Sequence, residues 1–294
     1  MPEIVFILPS RNIDTLHRTL SMLTIQKDKG FRVCVADLTG SLAASVLSGF
    51  EHSLTVSAVP MEASGEPFWK RCLEVVPDAE WVCFLGTDVD LNVQSVGRMR
   101  KCIADHPAYD VFHWNLAEPY RKYRLRTRPG RLFTSVFTEG GEAPLSSFVF
   151  RARTLREVFE ADPEAAGMDL AVILSAAGKP GIRSVRRERI GYRKPDVSAD
   201  PALVEKDVRA RLAFFRWSER FFGEDYPLDV SARLALFAGE LARLYPSFSP
   251  DELKEDLNTF AVVSGPIRRL KASSALKTAL KARQGALTAR PAEK

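Results

Sequence analysis

Short apolar runs recur along the first two thirds of the chain, and amphipathic stretches separate them. The runs are Ile4 to Leu8, Val33 to Ala36, Leu54 to Val59, Trp81 to Leu85, Val111 to Trp114, Phe148 to Phe150 and Ile182 to Val185. Most are rich in β-branched or aromatic residues, and their lengths suit strands of a sheet covered on both faces. Between the first two, Leu16, Leu20 and Leu23 recur at i, i+4 and i+7 on one helical face, and Lys29-Gly30 stops the pattern. Two further helices are predicted over 68–76 and 93–103, the second ending at His106-Pro107. Strands alternating with helices predict an α/β fold with a doubly wound sheet as far as about residue 190.

After Pro201 the pattern changes. Residues 204–222, 230–244 and 250–263 read as helices, interrupted by Gly223 and by Tyr245-Pro246. The expected organisation is an α/β domain over 1–200, a helical region over 201–265 and a basic tail over 266–294, amphipathic or disordered. Residues 120–141, YRKYRLRTRPGRLFTSVFTEGG, read as a long loop. Its Arg121, Lys122, Arg124, Arg126, Arg128 and Arg131 suit either phosphates or a solvated hairpin edge.

The 294 residues are 46% hydrophobic and 27% charged, which excludes a disordered, fibrous or low-complexity chain. Cys34, Cys72, Cys83 and Cys102 have no CxxC spacing, so buried thiols in a reducing compartment are expected rather than a zinc site or a disulfide framework. No run approaches the ~18 apolar residues of a membrane span, and the start MPEIVFILPSRN lacks a basic signal region. A cytoplasmic protein is therefore expected. The chain carries a net charge of +5, yet eight basic residues and one acidic residue fall within 266–294, so the body is mildly acidic. That placement argues against a nucleic-acid-binding core. Leu270, Leu276, Leu280 and Leu287, interspersed among the tail's basic residues, suit peripheral contact with an anionic membrane face, or simple disorder.

Several common chemistries find no motif. There is no GxGxxG after the first strand, no GxxxxGK[ST], no HExxH and no GxSxG. The four histidines, His17, His52, His106 and His113, have no triad or metal spacing and read as structural or exposed. What remains is a set of aspartates at strand exits, the edge where α/β sheets bind ligands. Asp37 follows the second run, Asp88 and Asp90 follow the fourth, and Asp169 opens the stretch DLAVILSAAG. Each also has a plainer reading: an Asx turn for Asp37, turn formers for the DVD pair, a helix N-cap for Asp169.

Taken in order, these segments resemble family 2 glycosyltransferases of the GT-A fold, over roughly Ile4 to Pro201. The first strand is followed by Pro9-Ser10-Arg11-Asn12, and then by a helix carrying Leu16, Leu20, Leu23 and Gln26 as in the family's Leu and Gln pattern. Val35-Ala36-Asp37-Leu38-Thr39-Gly40-Ser41 resembles the segment whose aspartate reads the nucleotide base. Trp81 to Asp90 resembles the strand leading to the family's DxD motif. Aligned on its apolar residues, the first aspartate of that motif falls on Gly86 and the second on Asp88, with Asp90 beside it; in the other register Asp88-Val89-Asp90 is itself the motif. Ser146 to Arg153 resembles the strand before the last active-site helix. There Met168-Asp169 stands where Glu-Asp is usual. Tyr192-Arg193 lacks the histidine that often follows.

The resemblance implies a GT-A type fold, a mostly parallel sheet flanked by helices, with a helical C-terminal extension. It implies an inverting transferase that moves a sugar from a nucleotide-diphosphate donor, UDP type first, to a hydroxyl of a glycan or lipid-linked acceptor. Asp169 takes the role of catalytic base, while Pro9, Ser10, Arg11, Asn12, Asp37 and Arg71 bind the nucleotide. Asp88 and Asp90 hold Mg or Mn, with Arg11, Arg151, Arg193 and Lys194 as cations that replace the metal in part. The aromatic stripe Phe214, Phe215, Trp217, Phe221 and Phe222 serves packing against the first domain or contact with a partner, a homodimer included. Gly86 and Met168 favour the alternative, a catalytically inactive GT-A-like module that binds or scaffolds in glycan assembly.

Overall fold

The computed structural model describes residues 1–10, 12–39, 46–61, 67–86, 88–117, 126–138, 142–178, 180–193 and 201–227. The chain divides into two compact units, Met1–Pro195 and Asp196–Lys294. Among the described residues, the first is built on one mixed sheet of nine strands: β1 (Ile4–Ser10), β2 (Phe31–Asp37), β3 (Val56–Pro60), β4 (Trp81–Phe84), β5 (Val89–Asp90), β6 (Val111–Leu116), β7 (Arg126–Thr127), β8 (Phe148–Arg151) and β9 (Ile182–Tyr192). Their order is β3-β2-β1-β4-β8-β6-β9-β5, with β7 paired to β9. Strands β3, β2, β1 and β4 run parallel, β8 is inserted antiparallel between β4 and β6, and β9 runs parallel to β6.

The helices are α1 (Ile13–Thr24), α2 (Phe68–Glu74), α3 (Ser95–Asp105), α4 (Pro129–Thr138), α5 (Ala152–Ala161) and α6 (Asp169–Ala177). Asn12 starts α1, its Oδ1 accepting from the backbone N–H groups of Asp14 at 2.8 Å and Thr15 at 3.2 Å. Leu16, Leu20 and Leu23 are buried in one cluster with Ile4, Phe6 and Leu8 of β1 and with Val96, Met99 and Ile103 of α3. Successive strand residues point to opposite faces, so Val5 and Ile7, equally buried, belong to the other side of the sheet. A central strand apolar on both faces needs helices on both, and this is the α/β arrangement that the sequence predicts.

All seven predicted strands form, several one to three residues longer than the apolar runs; β9 extends well beyond its run, to Tyr192. Two things differ. The stretch read as a long loop contains β7 and the helix α4, because Leu132, Phe133 and Ser135 are buried while the arginines Arg128 and Arg131 stay at its edge. Arg121, Lys122 and Arg124 lie outside the described residues. Helix α5 was not anticipated, although its Ala152, Leu155 and Phe159 follow a helical spacing.

The second unit opens with α7 (Pro201–Phe222) and a 3-10 turn, Gly223–Asp225. Its aromatic residues pack in series, Phe214 on Trp217 at 5.6 Å and Trp217 on Phe221 at 4.7 Å. The helices predicted over 230–244 and 250–263 and the basic tail lie outside the described residues.

Candidate functional site

Parallel register brings the ends of the first strands to one edge. Ser10 pairs with Asp37 and Asp37 with Pro60, while Ile7 pairs with Phe84, so the chain leaves β4 at Gly86 beside Pro9. A cleft of about 280 Å³ opens there, lined among others by Pro9, Trp69, Gly86, Asp88, Asp169 and Tyr192. Pro144, with Leu145 and Ser146 of the 3-10 turn that it precedes, closes one side.

Asp88 is reached by a chain of hydrogen bonds. The Gly86 N–H donates to Ser146 Oγ at 3.0 Å, and the Ser146 hydroxyl donates to Asp88 Oδ1 at 2.7 Å. The Asp88 carbonyl accepts from the backbone N–H of Arg193 at 2.7 Å, fixing the loop to the end of β9. Burial raises the Asp88 carboxyl above its ordinary value, opposed by the Ser146 hydrogen bond and by the charge of Arg193. A Cβ on Gly86 would lie 2.6 Å from Asp88 Oδ1 and 2.9 Å from Ser146 Oγ. Glycine here is therefore the space in which the Ser146–Asp88 bond is made.

Asp169 begins α6, in the first turn after Met168, which makes no side-chain cap. It is not the helix N-cap of the plainer reading; instead its Oδ1 accepts from the indole N–H of Trp69 at 2.8 Å. The carboxyl is open to solvent along the cleft, yet enclosed closely enough on its other sides that burial raises its pKa. The Trp69 hydrogen bond opposes the rise and the nearby charge of Asp88 adds to it. Trp69 is itself held, its ring 4.9 Å from Phe84 and 4.6 Å from Phe68.

The other predicted residues are distributed as follows. Asp37 is buried at the end of β2, and its Oδ1 accepts from both the N–H and the hydroxyl of Thr39 at 2.9 Å, the Asx-turn geometry of its plainer reading. Ser10 is buried beside it, and its carbonyl accepts from the Leu38 N–H at 3.0 Å. The side-chain oxygen of Asn12 is engaged in capping α1. Arg71 is half-buried on α2 and does not line the cleft. Arg11 and Lys194 lie outside the described residues.

Asp90 is not brought together with Asp88. It forms ion pairs with Arg193, at 2.7 Å, and Arg18, at 3.3 Å, around a separate small pocket. Arg151, expected as a cation near the diphosphate, sits at the opposite edge. Because β8 runs antiparallel to β4, Arg151 meets the start of β4, pairing with Asp110 and stacking 4.4 Å over Trp81. Among the described residues no three His, Cys, Asp or Glu side chains gather as a metal cage. The one member of the DVD pair that faces the cleft, Asp88, suits a Mg or Mn ion that draws its other ligands from phosphate oxygens and water.

Sequence reasoning missed Trp69 and Ser146 as donors to the two cleft aspartates. Trp69 lies in none of the family-like segments and Ser146 only opens the one that resembles the strand before the last active-site helix, and their partners are 100 and 58 residues away in the chain.

No protein-family model matches the chain, and no curated protein matches it. Solved structures do. Staphylococcus aureus TarS 1-349 in complex with UDP is 14% identical, covering 96% of this chain and 92% of its own, with a TM-score of 0.59. The mannosyltransferase PcManGT from Pyrobaculum calidifontis, in complex with GDP-Man and Mn2+, is 14% identical, covering 96% and 87%, with a TM-score of 0.54. A likeness of this degree is a likeness of fold. The chain shares with these structures the GT-A-like α/β fold that the order of its sequence motifs led one to expect.

Proposed function

We propose that the protein is a glycosyltransferase that uses a nucleotide-sugar donor and inverts the transferred centre, with Asp169 as its base. The observation that carries this reading is the convergence of Asp88 and Asp169 on one cleft at the carboxyl edge of the parallel strands. Neighbours of the same fold bind UDP or GDP-Man, which supports a nucleotide-sugar donor.

Transfer needs a base for the acceptor hydroxyl and stabilisation of the departing diphosphate. The acceptor proton passes to Asp169, whose raised pKa favours proton uptake relative to an ordinary carboxylate. The acceptor oxygen then bonds to the anomeric carbon as the bond from that carbon to the diphosphate oxygen breaks, on the opposite face. Pro9 and Asp37 border the nucleotide, Asp37 at the base end. Asp88 faces the diphosphate, and when Mg or Mn is bound there the ion supplies Lewis-acid stabilisation of the phosphate oxygens. The acceptor is a hydroxyl of a glycan or a lipid-linked sugar, and the basic tail provides peripheral contact with an anionic membrane face.

Calorimetric titration with UDP, GDP, dTDP and CMP, each with Mn, Mg and EDTA, tests the site before the substrate is known. One metal-dependent diphosphate is the expected result. Asp169→Asn should then keep that affinity and lose donor turnover by at least about a hundred-fold; turnover at the wild-type rate would remove Asp169 as the base. A second reading, a non-catalytic binding module, is favoured by Gly86 and Met168, which stand where carboxylates are usual. Binding of a diphosphate with no turnover of any donor would select it.

A further inference from the structure

Asp169 emerges from a helix start with no side-chain cap, on a short connection after the 3-10 turn Ala165–Gly167. Within its own element the carboxyl meets the backbone N–H of Asp169 itself. The side-chain donor that holds it comes from α2, where the indole N–H of Trp69 meets Oδ1 at 2.8 Å. The indole in turn contacts the rings of Phe68 and Phe84, and Phe84 is the last residue of β4, fully buried. A carboxylate tied down through one oxygen presents the other in a fixed direction. Both Trp69 and Asp169 line the same cleft, so the tie is made at the reacting surface rather than behind it.

We infer that Trp69 is a positioning residue for this site: its indole N–H holds Asp169 Oδ1 so that Oδ2 faces the acceptor hydroxyl. The inference rests on the proposed role of Asp169 as base. Trp69 takes no proton and forms no bond to substrate; it restricts the carboxylate to the orientation in which proton transfer is productive. An indole suits the task better than a hydroxyl would, since it donates without also accepting, and its ring rests against Phe68 and Phe84.

The test uses the full chain, with hydrolysis of UDP-glucose, UDP-N-acetylglucosamine and GDP-mannose as the turnover readout. Trp69→Phe keeps an aromatic ring against Phe84 and removes the N–H. It is expected to lower kcat by roughly ten- to a hundred-fold, with KM for the donor and the affinity for its nucleoside diphosphate within about two-fold of wild type. Trp69→His, which can donate from a ring nitrogen, should recover part of the loss. In an NMR spectrum of the indole N–H groups, the Trp69 resonance should shift when Asp169 is replaced by Asn. A wild-type kcat in Trp69→Phe alongside an inactive Asp169→Asn overturns the positioning role alone. Wild-type turnover in Asp169→Asn overturns the base assignment, and the positioning role with it. A fall in donor affinity that matches the fall in kcat makes Trp69 a wall of the pocket and also overturns the inference.

Discussion

Asp37 shows how one side chain satisfies a structural and a functional reading together. Its Oδ1 makes the turn with Thr39, and the turn sits at the carboxyl edge where β1 and β2 end side by side. Asp37→Ala should therefore weaken nucleotide binding by about ten-fold and also cost roughly 1 kcal/mol of stability from the lost turn. Asp37→Asn retains the acceptor oxygen and isolates the effect of the charge. Calorimetry beside thermal unfolding separates the two, and an Asp37→Ala protein that is less stable but binds nucleotide normally would leave only the turn. Asp37 and Asp88 were legible in the sequence because each stands at the exit of an apolar run, and Asp169 because it opens the apolar stretch DLAVILSAAG. Trp69 and Ser146 were not, because their importance lies in contacts across 100 and 58 residues of chain, and local pattern carries no record of them.

At the level of elements, apolar runs identified strands more surely than any motif identified chemistry. The strands were legible because burial on both faces leaves an unbroken apolar signature. Helix α4 was not, since arginines crowd its start and, among the described side chains, its fully buried ones are Leu132, Phe133 and Ser135. The two-residue strand β5 is too short to leave any period, and exists because Val89 and Asp90 pair with Tyr192 and Gly191. The turn leaving β4 offers a sharp test. Gly86→Ala puts a methyl group where Asp88 Oδ1 and Ser146 Oγ now meet, so one of them must turn away. We expect about ten-fold weaker binding of the nucleoside diphosphate with Mn, and little change in the thermal midpoint, because both displaced atoms are side-chain ends. Affinity equal to wild type would show that the Ser146–Asp88 bond is dispensable.

Over the whole molecule, buried ionisable groups set how stability responds to pH. His113 lies fully buried on β6, 4.4 Å from the Phe148 ring, and burial pushes its pKa down from 6.5 to about 3. The unfolded chain therefore binds a proton that the folded chain refuses, and stability is lost as pH falls from about 6.5 toward 3. Asp88 acts oppositely, since its raised folded pKa favours the folded state as pH falls toward the ordinary carboxyl value of 3.8. Replacing His113 by Leu should flatten the acid side of the stability profile. The check is the drop in Tm between pH 7 and about 5 in both proteins; an equal drop would assign the acid sensitivity elsewhere. No described helix is long and apolar enough to cross a membrane.

The long strand β9 completes one end of the sheet in time as well as in space. It begins at Ile182 beside β6 and ends at Tyr192 against β5, and the next residue's N–H holds the Asp88 carbonyl. A chain growing from its N-terminus would leave the edges of β6 and β5 free until β9, far later in the chain, had been made. Such an exposed apolar edge is where nascent chains mispair. The site is thus closed by the last strand to arrive, so its assembly reports completion of the fold rather than an early event in it.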